Sequence, residues 1–127
     1  MNNTFAREGK LLSCTEMTDM LRQMINKNIL HELDYENLQS FYIKLFNAVY
    51  LEMKIYLECK NYKIVNERQC FITGVQKKLI SDSKVWDEAL EKAKNINNGV
   101  LVENLATFIV EEYYPEMKML ISKLKRQ

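Results

Sequence analysis

Few residues of this sequence have the types and spacing that catalysis or metal binding requires. The sequence holds one histidine, His31, and no nucleophile or second acid–base group stands beside it, so we predict a surface or loop position over a catalytic one. The three cysteines, Cys14, Cys59 and Cys70, form neither a Cys-x-x-Cys pair nor a Cys/His cluster. We expect packed free thiols, no metal site and no cofactor.

The charged residues do not form an acid–base pair or a phosphate loop. Glu111 and Glu112 are neighbours in sequence, as are Asp87 and Glu88, so the members of each pair do not face each other on a helix. No Gly-rich phosphate loop, Ser-x-x-Lys motif or Gly-x-Ser-x-Gly motif is present. A basic tail ends the chain, and it fits either helix-end charge or contact with RNA or phosphate. Its residues are Lys118, Lys123, Lys125 and Arg126.

The composition sets the class of protein. The 127 residues predict one domain, with residues 1–12 flexible, and three glycines and one proline argue against a turn-rich β fold. The 18 basic and 17 acidic residues give a net charge of +1, which excludes a strongly basic nucleic-acid binder but leaves room for a local basic patch. No signal-peptide core and no long apolar run is present, so we expect a cytoplasmic protein without membrane contact.

The stretch from Leu38 to Cys59 is the one around which the other elements must be placed. It has no Gly or Pro, and it is apolar on two helical faces. The first face comprises Leu38, Tyr42, Leu45, Val49, Met53 and Tyr56, and the second comprises Phe41, Ala48, Leu51 and Ile55. We predict a central helix whose second face either completes the core or meets a partner or second copy.

Capping signals mark the other helices. Ser13-x-x-Glu16 has the form of a capping box, while Asp34, Asn66 and Ser83 are N-cap candidates. The last helix should run from about residue 102 to 125, with Pro115 kinking or splitting it. The Asn-rich run from Asn95 to Val100 is the clearest break. We predict an all-α, up-and-down bundle of four or five helices.

Several runs, in their order, resemble one family. They are Lys54-Ile-Tyr-Leu-Glu58, Glu67-Arg68-Gln69, Lys78-Leu-Ile80, Ser81-Asp-Ser-Lys-Val-Trp86, Glu88-Ala-Leu-Glu91, Tyr113-Tyr-Pro115 and Ile121-Ser-Lys-Leu-Lys125. Together they are similar to the nucleotidyltransferase substrate-binding proteins, a branch of the HEPN superfamily of helical bundles. The resemblance implies a homodimer that pairs with a small nucleotidyltransferase of the minimal type, usually encoded beside it, in a toxin–antitoxin-like system.

Active HEPN ribonucleases join an Arg and a His across the dimer to cleave RNA. The resemblance places that motif at the Asn-rich run, where Lys94 stands for the Arg and Gly99 for the His. Lysine lacks the planar bidentate contact of arginine, and glycine cannot move a proton. Asn95 is retained, Asn97 and Asn98 are polar replacements, and Leu101 stands for a tyrosine that some partners modify. The run is either an ordinary turn or a loop that binds a nucleotide, RNA or phosphate through its amides, Lys94 and the asparagines.

Three hypotheses follow. The first is a non-catalytic binding subunit that dimerises through the central and last helices and serves a nucleotidyltransferase. The second is a HEPN ribonuclease toxin that acts through a degenerate site at Lys94, Asn95 and Asn98. The third is a helical regulatory protein that shares only the architecture, because a fold does not by itself assign a function.

Overall fold

The computed structural model describes residues 3–4, 6–7 and 13–125. Near the N-terminus, β1 (Asn3–Thr4) and β2 (Ala6–Arg7) form a two-residue antiparallel pair. The other residues among 1–12, on which the predicted flexible segment falls, lie outside the described residues. In the described part of the chain, no helix is both long and apolar enough to cross a membrane.

From residue 13 onward the described elements are helical, which confirms the predicted all-α class. A single 3₁₀ turn follows the first helix, and the last three elements are continuous along the chain. The elements are α1 (Cys14–Asn26), the 3₁₀ turn (Leu30–Glu32), α2 (Tyr35–Cys59), α3 (Glu67–Gln76), α4 (Lys84–Asn97), α5 (Leu105–Phe108), a π segment (Ile109–Tyr113) and α6 (Tyr114–Lys125).

The helices begin where the capping signals place them. Ser13 and Glu16 form both bonds of the capping box: the Ser13 hydroxyl accepts the Glu16 N–H at 3.1 Å, and the Glu16 carboxylate accepts the Ser13 N–H at 2.8 Å. Asp34 and Asn66 cap α2 and α3 through their side-chain oxygens. Ser83 is the N-cap residue of α4, as predicted, but its hydroxyl makes no capping bond, and the Asp82 carboxylate accepts the Lys84 N–H instead.

The central helix α2 packs against α1, α3 and α4. Its inner face is closed to solvent, and each large side chain that is fully buried there stabilises the fold by about 1.5–3 kcal/mol. Tyr56, predicted on this face, is only half-buried because it lies at its edge. The buried residues are Leu38, Tyr42, Leu45, Phe46, Val49, Met53 and Leu57.

Aromatic side chains connect the helices at the centre of the core. Tyr113 lies within 6.0 Å of Tyr42 and Phe108 and 5.7 Å of Trp86, measured between ring centroids. The Tyr42 hydroxyl donates to the Ala89 carbonyl at 2.6 Å, whereas the buried Tyr113 hydroxyl has no hydrogen-bond partner among the described residues. Burial raises the pKa of both phenols above the ordinary value, so both stay neutral.

The last helical run is interrupted ahead of its proline. Pro115 has no N–H, and its ring crowds the carbonyl four residues earlier. The chain responds with the π segment, after which the Tyr114 N–H donates to the Ile109 carbonyl, five residues back. The predicted start near residue 102 is wrong by one turn, because Asn104 has a left-handed backbone with φ of 58° and α5 begins after it.

Candidate functional site

The residues of the predicted Lys94–Gly99 site lie at the C-terminus of α4. Lys94, Asn95 and Asn97 belong to the last helical turn, Asn98 is the C-cap, and Gly99 follows it. The predicted break between Asn95 and Val100 is therefore present, but it begins at Asn98, three residues later than the sequence prediction placed it. The helix continues to Asn97 because its final carbonyls are closed by a capping motif formed by the next residues.

That capping motif is a Schellman motif. The Val100 N–H donates to the Asn95 carbonyl at 2.8 Å, and the Gly99 N–H donates to the Ile96 carbonyl at 3.1 Å. Gly99 has φ of +75°, which glycine adopts without the steric cost of a side chain. The backbone conformation alone therefore explains why a glycine occupies position 99.

The same geometry limits what the site can bind. The amides of Asn98, Gly99 and Val100 already donate to helix carbonyls, so they are not available to cradle a phosphate. A helix C-terminus also carries partial negative charge, which disfavours anions. The side chains of Lys94, Asn97 and Asn98 are exposed and that of Asn95 is half-buried, so these side chains are the remaining candidate donors. Leu101 is 64% exposed.

A cleft of about 430 Å³ lies beside this helix end, between the 3₁₀ turn, the start of α2 and residues 101–107. His31 is exposed at its rim, as predicted, with Nε2 3.5 Å from the Thr107 hydroxyl. The Tyr35 hydroxyl accepts the Val102 N–H at 2.6 Å and thereby ties the two walls together. Sequence reasoning missed Tyr35 and Thr107, because the two walls are about 70 residues apart and carry no shared motif.

The cleft does not contain an assembled catalytic pair. A separation of 3.5 Å is at the outer limit of a hydrogen bond, and both His31 and Thr107 face solvent. No third side chain is seen to orient the imidazole among the described contacts, as a nucleophile–base pair requires. In the described part of the chain, no three His, Cys, Asp or Glu side chains are grouped so that they could hold a metal ion.

The outer face of α2 carries the predicted second apolar face, which we call the α2 strip: Phe41, Ala48, Leu51 and Ile55. Phe41 and Ala48 are half-buried and pack against the core. Leu51 is 44% exposed and Ile55 is 49% exposed. The strip is thus divided between core and solvent.

The thiols also separate into two environments. Cys14 and Cys70 are buried, as predicted, and burial raises the pKa of Cys14 to about 11 and that of Cys70 to about 12, so both are unreactive. Cys59 is exposed at the end of α2, where the prediction of a packed thiol is wrong. All three are free.

Comparison with known proteins identifies no relative of this chain. Neither the models of known families, nor the curated proteins, nor the solved structures include one that matches this chain.

Proposed function

We propose that the chain is a non-catalytic binding subunit that forms a homodimer and holds a small nucleotidyltransferase in a toxin–antitoxin-like pair. The observation that carries the binding role is the α2 strip. The helix is closed on its inner face, yet Leu51 and Ile55 leave nearly half of their surface in water on the outer one. Exposed apolar side chains that adjoin one another on a regular element are typical of interaction sites.

The spacing of the strip supports a helical partner. Ala48, Leu51 and Ile55 follow three- and four-residue steps, and Phe41 lies seven residues before Ala48, which is the a/d spacing of a coiled-coil seam. A second α2 helix has the same spacing, so a two-fold pairing would bury the strip of each copy against the other. Met119 is also exposed, so the last helix α6 carries apolar surface that a dimer could bury.

The identity of the partner is supported by the sequence resemblance. The non-catalytic role is supported by the site: Gly99 closes a helix end, and the only histidine lies in a different element, at the rim of the cleft. A reducing, cytoplasmic setting is supported by three cysteines that are all free.

Dimerisation is tested by two paired substitutions of exposed apolar residues. Leu51→Asp with Ile55→Asp places charge on the strip. Val65→Asp with Ile72→Asp places the same charge on apolar residues that are 69% and 50% exposed, just before α3 and within it. Light scattering after size-exclusion chromatography should give dimers for the native chain and the Val65/Ile72 variant, and monomers for the strip variant. A monomeric native chain, or equal dissociation of both variants, would contradict the proposal.

The partner is tested by affinity purification of the tagged chain from its host, followed by mass spectrometry. We expect a small nucleotidyltransferase in near-equal amount with the native chain, and the strip and control variants then show whether α2 is the contact. Recovery of no nucleotidyltransferase overturns that part of the proposal. RNA cleavage or growth arrest on expression that Lys94→Ala abolishes would replace the non-catalytic role with the ribonuclease alternative.

A further inference from the structure

Three segments that are distant in sequence meet at one end of the bundle: residues 57–63, 76–80 and 118–125. The Lys123 ammonium donates to the Lys78 carbonyl at 2.9 Å, which joins the last segment to the end of α3. The Lys77 ammonium lies 4.5 Å from the ring centroid of Tyr62, which joins the end of α3 to the end of α2. We call this region the lysine end.

The lysine end is strongly basic although the chain as a whole is nearly neutral. The three segments contain seven lysines and one acidic residue, Glu58. Among the acids, Glu52 lines a small cleft together with Lys125, whereas others lie along α4 and in the π segment at Asp87, Glu88, Glu91, Glu111 and Glu112. The net charge of +1 therefore conceals a local excess of positive charge that composition cannot reveal.

The chemistry of this end suits phosphate. All seven cations of the three segments are lysines, whose ammonium groups bind phosphate as compact point charges without the planar fork of arginine. Lys60 and Lys77 rest over the rings of Tyr56 and Tyr62, which holds their ammonium groups at the surface. Because those rings are already covered, they do not offer free faces on which nucleobases could stack.

One lysine occupies a position that the backbone does not favour. Lys78 has φ of 63°, a left-handed conformation that costs a residue with a side chain about 1–2 kcal/mol relative to the usual helical region. Glycine or asparagine would fit this position better. Packing does not explain why a lysine stands at position 78, because its side chain is exposed. An exposed charge kept at a strained position indicates a use for that charge.

We propose that the lysine end binds the phosphate backbone of a nucleic acid without reading its bases. This inference concerns a surface other than the α2 strip and the α4 end, and it does not depend on the proposed dimer or on the nucleotidyltransferase. The binding is electrostatic, so it weakens steeply with salt and is equal for different base sequences.

The test is fluorescence anisotropy with a labelled single-stranded RNA of about 16 nucleotides, over a series of KCl concentrations. The variant carries Lys60→Gln, Lys77→Gln and Lys78→Gln. Its control carries Lys27→Gln, Lys84→Gln and Lys92→Gln, which remove the same charge from positions outside the three segments and outside the predicted α4 site. Circular dichroism and thermal unfolding establish that both variants fold.

We expect the lysine-end variant to bind at least tenfold more weakly at low salt and the control to bind like the native chain. The slope of log affinity against log salt should fall by about 2 in the lysine-end variant, since each lost phosphate contact lowers it by about 0.7. Absence of RNA binding by the native chain at low salt, or equal losses in the two variants, would overturn the proposal.

Competitors distinguish the possible sources of negative charge. Unlabelled RNA and single-stranded DNA of one length should displace the probe equally, because the contacts are to phosphates. Polyglutamate that competes as well as RNA at equal charge would assign the surface to an acidic protein segment and overturn the proposal. So would inorganic polyphosphate that binds more tightly than RNA at equal phosphate concentration.

Discussion

The ends of α3 and α4 have the same backbone structure and different side chains. At α3, the Leu79 N–H donates to the Gly74 carbonyl at 2.8 Å and the Lys78 N–H donates to the Val75 carbonyl at 3.0 Å. At α4, the Val100 and Gly99 amides make the equivalent bonds at 2.8 and 3.1 Å. Both ends are Schellman motifs with a left-handed residue after the C-cap.

The difference lies in the left-handed residue. Gly99 fits its position at no steric cost, so the Asn-Gly run that resembles a degenerate active-site motif is accounted for by helix capping. Lys78 fits the same position poorly, and capping does not account for it. A functional explanation is needed for a residue such as Lys78, whose presence the local backbone does not explain.

The largest expected effect is on the α4 end. Gly99→Val should lower the free energy of unfolding by about 2 kcal/mol, because a β-branched residue is strained at positive φ. A Cβ at Gly99 would meet nothing within 4 Å, so the loss reports backbone conformation and not a clash. Urea denaturation measures it, and Gly99→Asn, which tolerates the left-handed region, is the control and should lose less. Equal losses for both variants would refute the capping explanation.

Two core tyrosines, away from the ends of α3 and α4, provide reference substitutions for stability. Tyr42→Phe removes the hydroxyl bonded to Ala89 and should cost about 1 kcal/mol, whereas Tyr113→Phe removes a buried hydroxyl that has no partner among the described residues and should be neutral or stabilising. Urea denaturation compares the two. Neither substitution should change RNA affinity at low salt. If Tyr42→Phe weakened binding as much as the lysine-end variant, binding would report stability and not charge.

A smaller effect of opposite sign is expected at the α3 end. Lys78→Gly should raise the free energy of unfolding by about 0.5–1 kcal/mol, since relief of the left-handed strain exceeds the entropy that glycine adds to the unfolded chain. The same substitution should weaken RNA binding, because it removes one phosphate contact. Thermal unfolding and anisotropy on one sample measure both. A variant that lost stability would show that Lys78 is held there for structural reasons.

The smallest expected effect is on thiol reaction rates, which report the electrostatic potential at the lysine end and at the α4 end. The exposed Cys59 adjoins Lys60, which should attract the dianion dithiobisnitrobenzoate but not the neutral reagent dithiodipyridine. The ratio of the two reaction rates should therefore be about threefold higher for Cys59 than for a cysteine at the α4 end. The matched probe is Asn98→Cys in a Cys59→Ser background. Stopped-flow absorbance gives the rates, and salt should abolish the difference. Equal ratios at low salt would contradict a basic surface at this end.

Local features were predictable from sequence because they depend on residues within about four positions. The Ser13–Glu16 capping box and the Asp34 and Asn66 caps were found in this way, as was the disturbance caused by Pro115. The break at the α4 end was placed too early because an Asn-Gly run marks a helix C-terminus and a turn equally well. The cleft at His31 carried no local signal, since its walls come from both ends of the chain.

The all-α class, the central place of the α2 stretch and most helix starts follow from the sequence alone, because periodicity and capping are local properties of the chain. The tertiary structure is needed to see that Phe41 and Ala48 pack against the core while Leu51 and Ile55 remain exposed. Only it brought together lysines from three segments, through the contacts of Lys77 with Tyr62 and of Lys123 with Lys78. The physical reason is that burial and electrostatic potential depend on neighbours in space, and helix packing sets those neighbours without regard to their separation along the chain.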